Sequence, residues 1–205
     1  MAVDNKDQKY WDEAAKTNYM YAITCHNDPV HWETVGCREA AIVAEMVQDA
    51  KFKTILDFGC GAGRISKHLP DHFRHVIAYD WSQNMLDLIP KNPKLTATTA
   101  LPARVDVIFT LAVLFHHRKA DLPAIFALFA KLLPKGGKLI FQLPVYDIGQ
   151  DRPEEAAGGI CTVTPAEFSE LTAAFDVTST AKSDGAYVDD QITMNHFFLH
   201  QAFKK

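Results

Sequence analysis

An aspartate and three glycines follow a short apolar run near residue 55. Asp57 precedes Gly59, Gly61 and Gly63 in the stretch ILDFGCGAGRI. Glycine tolerates positive φ and the close approach of another group, so this series predicts a turn on which a ligand rests. The alternative is a tight turn without a ligand, which needs one or two glycines. A dinucleotide site would have the spacing G-x-G-x-x-G, and an anionic Asp57 would repel a pyrophosphate and attract an ammonium group.

A second carboxylate, Asp80, follows the next apolar run, HVIAY. An acid at the end of the second strand commonly accepts hydrogen bonds from ribose hydroxyls. A helix predicted to begin near Gly63 would add free backbone N–H groups for a polar ligand. Asp57 and Asp80 together predict a site for a nucleoside that carries an amino group and lacks phosphates.

Two adjacent histidines, His116 and His117, follow the later run VDVIFTL. Histidine titrates near neutral pH and is therefore the natural general base for a hydroxyl acceptor. The alternative is that one histidine caps a helix and the other is a solvated surface residue. Tyr146 and Asp147, which follow the run KLIFQLP, are further candidates for the same crevice.

The elements that must position these residues follow from the apolar periodicity. Helices are predicted over 36–51, 64–73 and 121–133, and strands over 53–58, 75–79, 105–111 and from 138. Such alternation predicts an α/β fold with a doubly wound, mostly parallel sheet and a ligand site at the carboxyl ends of the strands. The runs 177–180 and 194–203 are separated by turn residues, so they could pair antiparallel.

Several polar residues stand where helices are predicted to begin. Ser82, Asp121 and Thr164 are predicted N-caps, and Thr164 with Glu167 forms a capping box. The stretch 146–159 is rich in glycine, proline and acids and is predicted to be a mobile loop.

Composition limits the classes of partner. The formal net charge is −4 and the pI about 6.1, so no strong positive field favours nucleic acid or an anionic membrane. The cysteines at 25, 37, 60 and 161 include no C-x-x-C pair, so no metal site is predicted. We expect a single cytoplasmic domain over 1–205, with a cap over 1–35 and a core over 36–205.

Four stretches together resemble the ordered motifs of the class I S-adenosylmethionine-dependent methyltransferases. They are ILDFGCGAGRI, AYDWSQNML, VDVIFTLAVLFHH and LLPKGGKLIF, and the resemblance covers about Ile55 to Phe141. It implies a Rossmann-like seven-stranded sheet that is mostly parallel, with an antiparallel last strand and helices on both faces.

The resemblance also implies a role for each residue at the site. The methionine moiety of S-adenosylmethionine would be held by Asp57 and the main chain of Gly59, Cys60, Gly61 and Gly63. Asp80 would hold the ribose.

For the adenine, Trp81 and Leu101 would lie against its two faces, and Leu111 would lend its backbone near the methionine end. Relatives often carry an acid just after the third strand to meet the adenine amino group. Here Thr98 stands at about that place, which leaves the amino group to its hydroxyl or to main chain.

The first 35 residues also resemble a lid found in a bacterial subgroup of this superfamily, through WDEAAKTNYMYAI and HWETVG. Tyr10, Trp11 or Tyr21 would then close over the sulfonium, since aromatic faces attract a cation. The alternative for these aromatics is ordinary core packing.

These inferences favour methyl transfer to a small molecule through oxygen, nitrogen or carbon, with S-adenosylhomocysteine as the second product. An RNA or protein methyltransferase would need a basic or extended groove, and the cationic side chains are scattered. A binding module of the same fold without catalysis is the alternative from another class, and an NAD-dependent oxidoreductase is the weakest. We expect no nucleic-acid or membrane partner, and a monomer or a homodimer.

Overall fold

The structure is a computed structural model that describes residues 7–145, 161–182 and 198–205. Its strands are β1 (Thr54–Phe58), β2 (His75–Tyr79), β3 (Leu95–Thr98), β4 (Val107–Thr110), β5 (Lys138–Gln142), β6 (Phe175–Lys182) and β7 (Phe198–Lys204). Its α-helices are α1 (Gln8–Thr17), α2 (Tyr19–Thr24), α3 (Pro29–Glu45), α4 (Gln83–Leu86), α5 (Leu122–Leu132) and α6 (Pro165–Leu171). Short 3₁₀ turns lie at Ala50–Phe52, Leu69–Asp71, Leu114–His116 and Lys119–Asp121.

The strands form one seven-stranded sheet in the order β3-β2-β1-β4-β5-β7-β6. Strands β1 to β5 pair in parallel, and β7 runs antiparallel to both β5 and β6. Every residue of β4 is buried, as expected for a central parallel strand covered on both faces. The predicted fold class, including the antiparallel last strand, is confirmed.

Two apolar clusters cover the two faces of the sheet. One joins α5, through Phe126 and Phe129, to Leu56 of β1 and Leu139 of β5. The other joins α3, through Ala40 and Val43, to Ile55, Phe73 and Phe109 among others. Burial of these side chains, at ~25 cal/mol per Å² of apolar surface, is the main force that holds helices to the sheet.

The first predicted helix starts too late in the sequence. We predicted it over 36–51, whereas α3 runs from Pro29 to Glu45. The Asp28 carboxylate accepts a hydrogen bond from the Val30 N–H, and proline suits the first helical turn. The predicted cap boundary at residue 35 therefore falls inside α3.

The helix predicted over 64–73 is wrong. Residues 61–68 form successive turns, which lead into the 3₁₀ turn Leu69–Asp71. Pro70 lies inside the predicted span, and it lacks an N–H and clashes with the carbonyl four residues before it. The free helix N-terminus that we expected beside Gly63 is therefore missing from this part of the described chain.

Two of the three predicted helix caps form the expected hydrogen bonds. Ser82 caps α4 through the Met85 N–H, and the capping box of Thr164 and Glu167 opens α6, so both predictions are confirmed. Asp121 makes no cap hydrogen bond; its carboxylate pairs with the Arg118 guanidinium at 2.7 and 2.9 Å instead. The predicted loop over 146–159, the candidates Tyr146 and Asp147, and residues 194–197 of the last predicted strand lie outside the described residues.

Candidate functional site

A cavity of about 180 Å³ lies at the carboxyl ends of β1, β2 and β4. Its floor comes from the ends of these strands and the glycine turn. Parts of α1 and α2 and the segment after β4 complete its wall. Parallel strands end at the same edge of a sheet, which is why side chains far apart in sequence meet here.

Most of the predicted site residues line this cavity. They are Trp11, Asp57, Gly59, Cys60, Gly61, Asp80, Trp81, Leu111, His116 and His117. Gly63, Thr98, Leu101, Tyr10 and Tyr21 do not line it. The structure thus gathers both carboxylates, both histidines and two tryptophans around one space.

The predicted residues outside the cavity wall have other surroundings. Thr98 accepts a hydrogen bond from the Ala100 N–H at 3.0 Å, and Leu101 packs against the cluster beneath α5. Gly63 is buried beside Ile89, whereas Tyr10 and Tyr21 are 41% and 55% exposed. The adenine role predicted for Thr98 has no support from this placement.

Asp57 is a buried acid at the end of β1, and 4% of it is exposed. Its carboxylate accepts a hydrogen bond from the Ser66 hydroxyl at 2.6 Å. Burial raises the pKa of Asp57 to about 7, although the Ser66 hydrogen bond and the nearby Arg64 charge act in the opposite direction. A cationic group beside this carboxylate would favour its ionised form.

Asp80 lies just beyond β2 and is also buried. Its two oxygens accept hydrogen bonds from the N–H groups of Gly61 and Ser82, each at 2.9 Å. Burial raises the pKa of Asp80, while these backbone hydrogen bonds lower it. Each oxygen keeps a second lone pair, so the carboxylate can still accept hydrogen bonds from a ligand diol.

Two features of the structure explain the three glycines of the turn: a backbone conformation with positive φ, and side chains of the protein that lie close to them. Gly59, Gly61 and Gly63 all have positive φ, at 78°, 52° and 74°. A Cβ at Gly59 would lie 2.6 Å from a Val113 methyl, and one at Gly61 would lie 2.9 Å from Ile23 Cδ1. Apolar side chains therefore occupy the space next to these glycines, where we expected a ligand to lie directly.

The two histidines differ in their surroundings. The His116 ring contacts Trp11, with ring centroids 5.7 Å apart, and the neighbouring Phe115 ring. The His117 ring lies 5.9 Å from Trp81. Burial lowers the pKa of His117, although the nearby Asp121 charge acts in the opposite direction, and this shift favours the neutral imidazole.

Sequence reasoning missed several residues that shape the site. Arg64 lines the cavity and forms a buried ion pair with Glu39 of α3. Gln142 of β5 accepts a hydrogen bond from the Ala112 N–H at 3.0 Å and so holds the segment after β4. Ala112 has a φ of 57°, a left-handed conformation that no feature of the sequence predicted. Arg64 could have been found, since it directly follows the last glycine.

Helix α1 is attached to the end of β2 through side chains. The Ser82 hydroxyl donates to the Asp12 carboxylate at 2.5 Å, and the Gln8 amide donates to the Trp81 carbonyl at 2.9 Å. This attachment holds Trp11 over the cavity. It supports the predicted cap for Trp11, while the exposed Tyr10 and Tyr21 lie outside the cavity wall.

The polar side chains that line the cavity suit a nucleoside with an amino group. Two buried carboxylates can accept from an ammonium group and from a ribose diol. Among the described lining residues Arg64 is the one fixed cation, and Glu39 already pairs with it. A pyrophosphate would meet two carboxylates and no unpaired cation in this part of the wall.

The described part of the chain contains no helix of sufficient length and apolar character to cross a membrane. Nor does it gather three or more His, Cys, Asp or Glu side chains in an arrangement that could hold a metal ion.

Comparisons with known proteins identify relatives of this architecture. A family described as "Methyltransferase domain" matches residues 31–185. The search of curated proteins gave no match. Magnesium protoporphyrin IX methyltransferase (ChlM) from Synechocystis PCC 6803 with bound SAH has a TM-score of 0.71 at 16% identity, over 97% of each chain.

Other solved structures agree with this result. The N-methyltransferase NodS from Bradyrhizobium japonicum WM9, in complex with S-adenosyl-l-homocysteine, has a TM-score of 0.67 at 14% identity, over 98% of this chain and 99% of that one. A putative methyltransferase from Haloferax volcanii, in complex with its Trm112 activator, has a TM-score of 0.65 at 15% identity, over 95% and 97%. At these identities the likeness shows the fold.

Proposed function

The chain belongs to the methyltransferase-domain family within the class I S-adenosylmethionine-dependent methyltransferases, and we propose that it transfers a methyl group from S-adenosylmethionine to a small-molecule acceptor. The observation that carries this proposal is the pairing of two buried carboxylates, Asp57 and Asp80, across the glycine turn of one cavity. The similar structures of ChlM and NodS contain S-adenosylhomocysteine, which supports the same ligand here.

Each carboxylate has a distinct task in this proposal. Asp57 accepts from the ammonium group of the methionine moiety, and its pKa then falls below the value that burial alone sets. Asp80 accepts from the ribose hydroxyls with the lone pairs that Gly61 and Ser82 leave available. Trp81, which lines the cavity and is partly exposed, would lie against the adenine.

S-adenosylmethionine, when bound, supplies an electrophilic methyl group on a sulfonium centre. The main contribution of the chain is alignment and exclusion of water, and good orientation can supply ~7 to 11 kcal/mol. Trp11 and Ile23 close the cavity from the side of α1 and α2. The ring of Trp11 also offers a face to a nearby cation, worth ~0.5 to 2 kcal/mol.

A base is needed if the acceptor is a hydroxyl. His116 and His117 both line the cavity, and one neutral imidazole that removes the acceptor proton would contribute ~10²- to 10⁴-fold. We place the enzyme in the cytoplasm, as a monomer or a homodimer that acts on a soluble acceptor.

Calorimetry with S-adenosylhomocysteine tests the proposal. We expect wild-type binding in the micromolar range and a loss of ~10-fold or more in Asp80→Ala, because charge-assisted hydrogen bonds of ~1.5 to 3 kcal/mol disappear. Asp176→Ala, an exposed acid on β6, is the matched control and should bind like wild type. Equal affinity of Asp80→Ala and wild type would refute the ribose role, and tight NAD binding would refute the function.

A further inference from the structure

We propose that His117 recognises the adenine of the cofactor, by accepting a hydrogen bond from its 6-amino group, and that His116 alone serves the reacting end. This inference rests on the proposed function, since it needs a nucleoside that lies with its base against Trp81. It assigns different tasks to two adjacent residues.

The two histidine rings contact different aromatic partners. His116 packs against Trp11, which reaches the cavity from α1, at 5.7 Å between ring centroids. His117 packs against Trp81, which follows Asp80 at the end of β2, at 5.9 Å. The two imidazoles therefore meet different parts of the cavity wall.

The backbone explains this separation. His116 is the last residue of the 3₁₀ turn Leu114–His116, whereas His117 is extended, with φ −84° and ψ 156°. A change from helical to extended backbone redirects the next side chain. The His117 N–H still donates to the Leu114 carbonyl, which fixes the point where the direction changes.

The position of Asp80 indicates where the base of a nucleoside would lie. Its carboxylate sits where the ribose would be held, and the base of a nucleoside is joined directly to its ribose. Trp81 is the next residue, lines the same cavity and is 40% exposed, so its ring can stack on a base. A residue in ring contact with Trp81 is therefore within reach of that base.

The chemistry of His117 also suits an adenine. Neither ring nitrogen has a hydrogen-bond partner among the residues that the structure describes, and the side chain is half-buried in the cavity wall. A neutral imidazole has one donor and one acceptor nitrogen. It can therefore replace the acid that relatives carry after their third strand, whereas the Thr98 hydroxyl is already bonded to Ala100 and lies off the cavity wall.

The nearby acid does not use the hydrogen-bonding capacity of the His117 imidazole. Asp121 is the acid that acts on His117, and both of its oxygens pair with the Arg118 guanidinium. Among the described residues, the Asp121 carboxylate forms no hydrogen bond with the His117 ring. The acceptor nitrogen of His117 is therefore available to a ligand amino group.

A ligand-and-residue double-mutant cycle tests the inference. Calorimetry would compare S-adenosylhomocysteine with its 6-deamino analogue, in which hydrogen replaces the amino group, on wild type and His117→Ala. We expect wild type to bind the analogue about 10-fold more weakly, the equivalent of one hydrogen bond. His117→Ala should lose about 10-fold for S-adenosylhomocysteine and show no further loss with the analogue.

Two further variants keep the test decisive. His116→Ala is the matched control and should retain the full preference of wild type for the amino group. His117→Gln keeps a hydrogen-bond acceptor and similar bulk, so it should retain part of the preference for the amino group. This variant keeps the test informative if His117→Ala does not fold.

The outcomes separate the two proposals. If His117→Ala keeps the wild-type preference, or weakens both ligands while preserving their ratio, His117 does not contact the amino group and the inference fails while the function stands. If wild type binds neither ligand, the proposed function fails and this inference fails with it.

Discussion

Among single residues, the binding role that we propose for Asp57 conflicts with folding. It is buried at the end of β1, and burial raises its pKa from 3.8 to about 7. The folded state therefore takes up a proton at a higher pH than the unfolded chain does. Stability is lost as the pH rises from about 4 to about 7, because the ionised form is penalised only in the folded protein.

Asp57→Asn tests this conflict. Asparagine can still accept from the Ser66 hydroxyl but does not ionise, so we expect the variant to be more stable than wild type at pH 8, by on the order of 2 kcal/mol. The difference should vanish below about pH 4. Urea unfolding across this pH range measures it, and lower stability of the variant at pH 8 would contradict the prediction. We also expect the variant to lose the fall in S-adenosylhomocysteine affinity that wild type should show below about pH 7.

The glycines permit a prediction about steric overlap. Gly63 has a φ of 74° and would place a Cβ 2.8 Å from Ile89, whereas Gly136 has a φ of 73° and open space around it. Gly136→Ala is therefore the matched control, and it should cost only the left-handed backbone strain of ~1 to 2 kcal/mol. Gly63→Ala should cost a further ~1 to 3 kcal/mol from overpacking, measured by urea unfolding. Equal destabilisation would show that Ile89 moves aside freely.

At the scale of elements, α1 depends on a few polar contacts for its place over the cavity. Asp12 accepts from the Ser82 hydroxyl at 2.5 Å, and Gln8 donates to the Trp81 carbonyl. Ser82 also caps α4, so its hydroxyl connects two helices to the end of β2. Local opening of such an element costs less free energy than global unfolding.

Asp12→Ala should make α1 open more often. Loss of one net hydrogen bond, ~1 kcal/mol, predicts amide exchange about 5-fold faster over residues 8–17, with the sheet amides unchanged. Hydrogen exchange with mass spectrometry provides the measurement. Glu13→Ala, a neighbouring exposed acid that pairs with Lys16, is the control and should leave α1 as protected as in wild type. Unchanged exchange in Asp12→Ala would mean that apolar packing alone holds α1.

In the whole molecule, several histidines make stability depend on pH. Partial burial of His31, His68 and His117, and full burial of His200, lower the pKa of each imidazole. Each therefore binds a proton at a lower pH in the folded state than in the unfolded chain, where histidine titrates near pH 6.5. Stability should therefore fall as the pH drops below about 6.5, partly offset by Asp57, whose shift acts in the opposite direction.

His200 has the clearest structural setting for a test. It is 1% exposed on β7, its Nε2 lies 3.0 Å from the Leu143 carbonyl, and its ring stacks on Phe141. His200→Gln keeps a donor for that carbonyl but does not titrate, so we expect the melting temperature to depend less on pH between about 7 and 5. His75→Gln, on the less buried β2, serves as the control. An unchanged pH profile in His200→Gln would contradict the prediction.

The order of the elements and the positions of the two carboxylates could be predicted from local patterns of residues. Short apolar runs predicted β1, β2, β4 and β5. An acid at the end of such a buried run lies at the edge of a parallel sheet where ligands bind. The antiparallel last strand followed from turn residues between two apolar runs. These features are local, so a window of about ten residues contains the information that fixes them.

The contacts of each site residue, by contrast, became visible only in the folded chain. Ser66 reaches Asp57 across 9 positions and Gln142 reaches Ala112 across 30, and Ile23 fills the space beside Gly61. The division between His116 and His117 also appeared only when α1 and β2 were in place. Such contacts depend on how distant elements dock, and docking is set by the shape of the whole core, which no local pattern of residues contains.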